Sequence, residues 1–278
     1  MTFADETVIG REPLDVFIDK DNTIYAINEY HEEIHIWNAD SATSKKIALK
    51  QKFDPWGLFV TLDGNIYVSS DKNNLVERWT LEEAQDTVVM NLTHSCAGLF
   101  VDIKNHFYCS MGQGHQIVKQ SLDNDSDPFI TVAGTGIAGF ASNMLNQPRG
   151  IFVTAKLDLY VADCVNHRIQ LFEFGRLNGI TVTESVSKSN INLHYPTAVF
   201  LDADGYLFIV DNGNHRIMVL RSNGLCCIIG CSAIPGSKSN QLHYPYAAAF
   251  DSFGNIFVAD QNNHRIQKFN LLSDTSGK

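Results

Sequence analysis

Three carboxylate–guanidinium spacings stand out in the chain: Asp163/Arg168, Asp211/Arg216 and Asp260/Arg265, each followed or enclosed by Asn-His, as Asn166-His167, Asn214-His215 and Asn263-His264. An acid, a base and an imidazole within six residues have the composition of a general acid–base site. Their recurrence at equal positions argues otherwise, because an active site is needed once and a structural contact once per repeat. The expectation is therefore that each Asp caps its own loop and pairs with its Arg. A second constellation is His94, His194 and His243, three imidazoles each two residues before a repeated segment. Three such ligands could hold a zinc ion with an open coordination position. The Leu-His-Tyr-Pro repeated at 193 and 242 reads more simply as a turn with an apolar anchor. No GxSxG, HExxH, P-loop or GxGxxG signature is present. Gly134, Gly136 and Gly139 lead into no helical pattern. No catalytic residue and no cofactor is expected.

What positions these residues is a repeat. Taking Pro13, Pro55, Cys96, Pro148, Pro196 and Pro245 as position zero, six 25-residue blocks (13–37, 55–79, 96–120, 148–172, 196–220, 245–269) align without gaps. Each block opens with an apolar run, such as Gly57-Leu-Phe-Val-Thr61, which is the signature of a buried strand. Position nine is Asn22, Gly64, Asn105, Leu157, Gly205 and Gly254, residues that, Leu157 apart, tolerate positive φ in a tight hairpin. The turn at Leu157 is expected to differ. Position twelve is aromatic throughout (Tyr25, Tyr67, Tyr108, Tyr160, Phe208, Phe257) and position twenty-one apolar, giving second and third strands. Pieces such as Thr87-Val-Val-Met90, Ile130-Thr-Val-Ala133 and Cys226-Cys-Ile-Ile229 supply outer strands.

Four antiparallel strands repeated six times, with edges that need protection, describe an all-β, six-bladed propeller. The whole chain, 1–278, is expected to be one such domain and a monomer. The segment 270–278 is a poor strand, whereas Thr7-Val-Ile-Gly10 resembles Thr131-Val-Ala-Gly134. The N-terminal segment is accordingly expected to complete blade six and close the ring.

Blocks four to six, with Tyr160-Val-Ala-Asp163 before Asn166-His-Arg-Ile169 and Phe257-Val-Ala-Asp260 before Asn263-His-Arg-Ile266, resemble NHL repeats. The resemblance is weaker in blocks one to three, where Glu32-Glu33, Asn74-Leu75 and His115-Gln116 replace His-Arg. It implies the propeller architecture but no single function, since such propellers serve in protein binding, RNA binding and as receptor domains, and related folds host lyases and hydrolases.

Composition narrows the choice. The formal charge is −10, and residues 1–147 hold 10 Lys/Arg against 21 Asp/Glu. That balance opposes nucleic-acid binding, which requires cations at phosphates. No apolar run is long enough to span a bilayer and no leader pattern opens the chain, leaving the compartment undecided between the cytosol and an excised extracellular domain. The six Cys fit no metal-ligand spacing and are expected to be buried free thiols. Asn91-Leu-Thr93 and Asn124-Asp-Ser126 are glycosylation sequons that count only in a secreted protein.

Connections before blades four, five and six are long and should emerge on one face. Phe140, Asn143, Met144, His194, Tyr195, His243 and Tyr244 are the binding candidates there. The expectation is a non-enzymatic protein-interaction propeller. The alternatives are a metal-dependent lyase or hydrolase at the channel mouth and an RNA-binding domain.

Overall fold

The structure is a computed structural model that describes all residues except 29, 31, 40, 50–52, 81–86, 125–126, 183–191, 223 and 271–278. Six four-stranded antiparallel sheets form a ring. In blade four, for example, the strands are Pro148–Val153, Leu159–Asp163, Arg168–Phe172 and Ile180–Thr181. Each block's first strand lines the centre, and inner strands of neighbouring blades come very close. A Cβ on Gly98 would lie 2.5 Å from the Arg149 carbonyl oxygen, and one on Gly150 would lie 2.7 Å from that of Thr197. Position two therefore needs a residue without a side chain at these two junctions.

The position-twelve aromatics occupy the seams between blades. Tyr25 packs with Leu58, Ile66 and Trp79 of blade two, Tyr108 with Ile151 and Phe172 of blade four, and Phe257 with Val16 and Trp37 of blade one. Every seam thus has its own buried cluster, so the core is a ring of six interfaces. Phe17, Phe59, Phe100 and Phe152 form a chain of tilted and edge-on ring contacts around the channel at 5.1–5.2 Å between centroids.

The ring closes through its N-terminus, by different residues from those expected. Thr2–Ala4 pairs with Arg265–Phe269 and completes blade six. Lys268 exchanges backbone hydrogen bonds with Met1 at 2.7 and 2.8 Å. Phe3 wedges against Trp37 of blade one and Phe257 of blade six. The Thr7–Gly10 segment proposed as the closing strand is instead part of a single helical turn, Glu6–Ile9, followed by Gly10 as its C-cap. Asp5 decides this locally: its side chain accepts the Thr7 N–H at 3.0 Å as an N-cap, and Glu6 stands in the first turn.

Two further expectations are corrected. The turn at Leu157 matches the other five: φ is +67° there, against +58° at Asn105 and +86° at Gly64. Its N–H donates to the Thr154 carbonyl at 2.8 Å, as the Asn105 N–H donates to that of Asp102 at 3.0 Å. A left-handed Leu costs about 1–2 kcal/mol, offset by burying its side chain in the seam between blades three and four. The cysteines are mostly paired. Cys96 and Cys109 join the first two strands of blade three, and Cys227 is joined to Cys231, while Cys164 and Cys226 stand outside these disulfides. The first pairing depends on a bulge between Cys96 and Gly98, which shifts the register and draws Cys96 toward Cys109. Among the described residues no helix is long and apolar enough to cross a membrane.

Candidate functional site: the loop face and the channel mouth

The three Asp–Arg pairs are equivalent in geometry. Arg168 Nε lies 2.7 Å from Asp163 Oδ2, and Arg216/Asp211 and Arg265/Asp260 repeat that distance. The second carboxylate oxygen accepts a backbone N–H from the incoming connection, that of Asn146, His194 or His243, each at 2.7 Å. The rest of the guanidinium holds the same connection. Arg168 donates to the carbonyls of Phe140, Ala141 and Met144, and Arg265 to those of Ser237, Lys238 and Gln241. Burial raises the carboxyls of Asp163 and Asp260, while the Asn, Arg and backbone donors around them oppose that rise. Each pair is therefore a clamp on the long loop that precedes its blade.

The motif histidine has a different task. His167, His215 and His264 adopt φ values of +56°, +56° and +52°, and Glu32, Asn74 and His115 hold the corresponding conformation in blades one to three. From that position the ring reaches into the next blade. The Tyr195, Tyr244 and Glu12 N–H groups donate to Nδ1 of His167, His215 and His264 at 3.0, 3.1 and 3.2 Å. His115 receives the Gln147 N–H likewise at 3.2 Å. An Nδ1 acceptor must be unprotonated. Burial and the nearby His194 hold His167 below its usual range, and burial and His243 do the same for His215.

The binding candidates fall on the face that carries these connections. Phe140 is 60% exposed, with Arg168 stacked over its ring at 4.3 Å. Asn143 is exposed, and Met144 is half-buried against Gly139. Tyr195 and Tyr244 are exposed and packed edge-on against His167 and His215, with centroids 4.5 Å apart in each case. His194 and His243 lie beside those same rings. His94 sits apart over blade three, its ring against Thr93 and Gly114. Among the described residues, no three His, Cys, Asp or Glu side chains form a metal-binding group. Most of the long connection before blade five, 183–191, lies outside the described residues, as do Asp125 and Ser126 of the second sequon.

Sequence reasoning missed a cluster at the channel mouth. Position one of the blocks is Leu14, Trp56, Ala97, Arg149, Thr197 and Tyr246. The Tyr246 hydroxyl accepts from Trp56 Nε1 at 2.9 Å and from Arg149 Nη1 at 2.7 Å. The Arg149 guanidinium stands 4.8 Å from the Trp56 ring centroid. Burial pushes Tyr246 up to about 12 and the neighbouring Cys164 thiol up to about 11. Burial would lower Arg149, but the Tyr246 hydroxyl and Cys164 thiol beside it hold it above its ordinary value. Asp15, at position two of block one, accepts the N–H groups of Leu58 (2.8 Å) and Val16 (2.9 Å), and burial pushes it up to about 7. The signal was available: at a register where the architecture repeats, these residues do not.

The NHL repeat family model matches residues 145–172 and 242–269, which contain two of the three clamps. The chain is a six-bladed β-propeller that carries NHL repeats. No curated protein matches it in sequence. Among solved structures, a streptogramin B lyase is 14% identical with a TM-score of 0.66, covering 99% of this chain and 87% of its own. A gluconolactonase from Xanthomonas campestris is 13% identical with a TM-score of 0.73, covering 96% and 87%. A chain of a nidogen–laminin complex is 18% identical with a TM-score of 0.64, covering 87% and 91%. At these identities the likeness is one of fold, shared by two enzymes and a protein-binding assembly, and the NHL propeller's function must be argued from its own surface.

Proposed function

We propose that this NHL propeller is a non-enzymatic binding module that recognises a protein partner through the connections entering blades four to six. The observation that carries the reading is the pairing of exposed apolar side chains with a fixed backbone. Ile137, Phe140 and Ile234 are 67%, 60% and 62% exposed. They lie on the two loops whose carbonyls Arg168 and Arg265 grip. Apolar groups on an ordered loop bind without a large ordering cost, which is how a preorganised interface gains affinity. A metal-dependent lyase asks for a ligand set that His94, His194 and His243 do not assemble here, and an RNA-binding face asks for a cationic surface on a chain of charge −10.

The test compares the intact propeller with a Phe140→Ser/Tyr244→Ser variant whose fold is verified by circular dichroism. Proteins captured from an extract of the source organism are identified, and the binary affinity of each is then measured. One protein bound by the intact chain and at least tenfold more weakly by the variant is the expected result. Identical capture and affinity for both would contradict the reading.

A further inference from the structure

We propose that the channel mouth over blades two to four is a binding site for a small hydroxylated monocarboxylate, such as a uronate or a hydroxylated cyclic acid, with Arg149 receiving the carboxylate. The site is a cavity of about 320 Å³ bounded by Trp56, Arg149, Asp71, Asn74, Gln113 and Gln147. That volume lies within the range of small-molecule sites.

This chain uses its arginines in two ways. Arg168 and Arg265 spend their guanidinium groups on a buried carboxylate and three loop carbonyls each. Arg149 is half-buried, yet among the described residues no carboxylate lies within ion-pair distance of it. One donor goes to the Tyr246 hydroxyl, and one face of the guanidinium rests near Trp56. A guanidinium carries five donors in a fork that matches a carboxylate. Tyr246, Trp56 and the Cys164 thiol fix its position and leave donors of the fork for a ligand.

The remainder of the cavity is polar in the same unfinished way. Asn74 and Gln147 are half-buried, and Gln113 lies at the rim; their side-chain amides make no hydrogen bond to any described residue. Amides that both donate and accept suit hydroxyl groups. Asp71 spends one oxygen on the Ser95 hydroxyl at 2.6 Å and keeps the other for a ligand hydroxyl. Its charge also repels a second carboxylate, which selects monoanions over dianions.

The intrinsic fluorescence of Trp56 gives the readout, because Trp37 and Trp79 are buried. The probes are glucuronate with glucose as its neutral counterpart, and quinate with myo-inositol. A saturable change with at least one acid, tenfold or more tighter than with its neutral counterpart, is expected. Arg149→Met should abolish it and Arg149→Lys should retain part of it. No saturation with either acid, or equal binding of the neutral compounds, would overturn the proposal, as would undiminished binding to Arg149→Met. Should Arg149→Met fail to fold, Asn74→Ala/Gln147→Ala decides: a severalfold weaker glucuronate or quinate response supports the site, and an unchanged response overturns it.

Discussion

Blades four to six and blades one to three share one backbone plan and differ in how their polar residues are used. In the second half, position fifteen is Asp, the motif Arg pairs with it, and the connection into the blade is long and clamped. In the first half the same register holds Asn28, Ser70 and Met111. Asn28 and Ser70 still bond the preceding connection, through the carbonyls of Ile9 and Phe53, whereas Arg168 and Arg265 each grip three carbonyls. The left-handed residue at position nineteen persists in all six blades, so the backbone conformation is common and the clamp is an addition. Residues that recur build the ring, and those that occur once are free to bind.

The largest effect should come from breaking a clamp. Asp163→Ala leaves Arg168 buried without its counter-charge, and breaking a buried pair in this way costs about 3–5 kcal/mol. The same deletion at the equivalent Ser70 of blade two removes two neutral hydrogen bonds, one to the Phe53 carbonyl and one from the Asn73 N–H, and should cost about 2 kcal/mol. Urea unfolding of both variants measures the contrast, and similar losses would dissolve the distinction between the halves.

Blade three lacks the clamp but carries the Cys96–Cys109 disulfide across its first two strands. Removing it as Cys96→Ala/Cys109→Ala should cost about 3 kcal/mol, the scale for a closed loop of about 15 residues. Reduction should lower the melting temperature of the natural chain by more than that of the double variant, which keeps the Cys227–Cys231 disulfide.

A smaller effect concerns pH. His167 and His215 have folded-state pKa values below the unfolded value, and their neutral rings accept the N–H groups of the next blade. As pH falls below that of a free imidazole, the unfolded chain binds protons the folded chain refuses, so stability declines; above it the contribution is complete. Melting curves from pH 7.5 to 5.0 should show this decline, reduced in His167→Gln/His215→Gln. Asp15 acts with the opposite sign. Its folded pKa of about 7 lies above the unfolded value, so its ionisation lowers stability as pH rises toward and through 7. Asp15→Asn should therefore gain relative to the natural chain across that range, and a constant difference would rule the burial effect out.

The ring itself was legible in the sequence because its determinants are local and repeated: the apolar inner strand, the positive-φ turn and the seam aromatic. The corrections arose where a residue's fate depends on something outside its own segment. Leu157 accepts a left-handed turn because a seam buries it. Cys96 reaches Cys109 because a bulge shifts the register. Thr2–Ala4 becomes a strand because blade six offers an edge, whereas Asp5 turns the better-looking Thr7–Gly10 into a helical turn. The channel-mouth cluster escaped a reading tuned to repeats, because Trp56, Arg149 and Tyr246 are distinguished by failing to repeat.

The most direct test of that division sets Arg168→Met beside Arg149→Met in one urea-unfolding experiment. A loss of about 3–5 kcal/mol is expected for the clamping arginine, whose buried carboxylate loses its counter-charge, and a loss within about 1 kcal/mol for the channel-mouth arginine, which leaves no carboxylate unpaired. Equal losses would contradict it, making Arg149 a part of the scaffold like the rest.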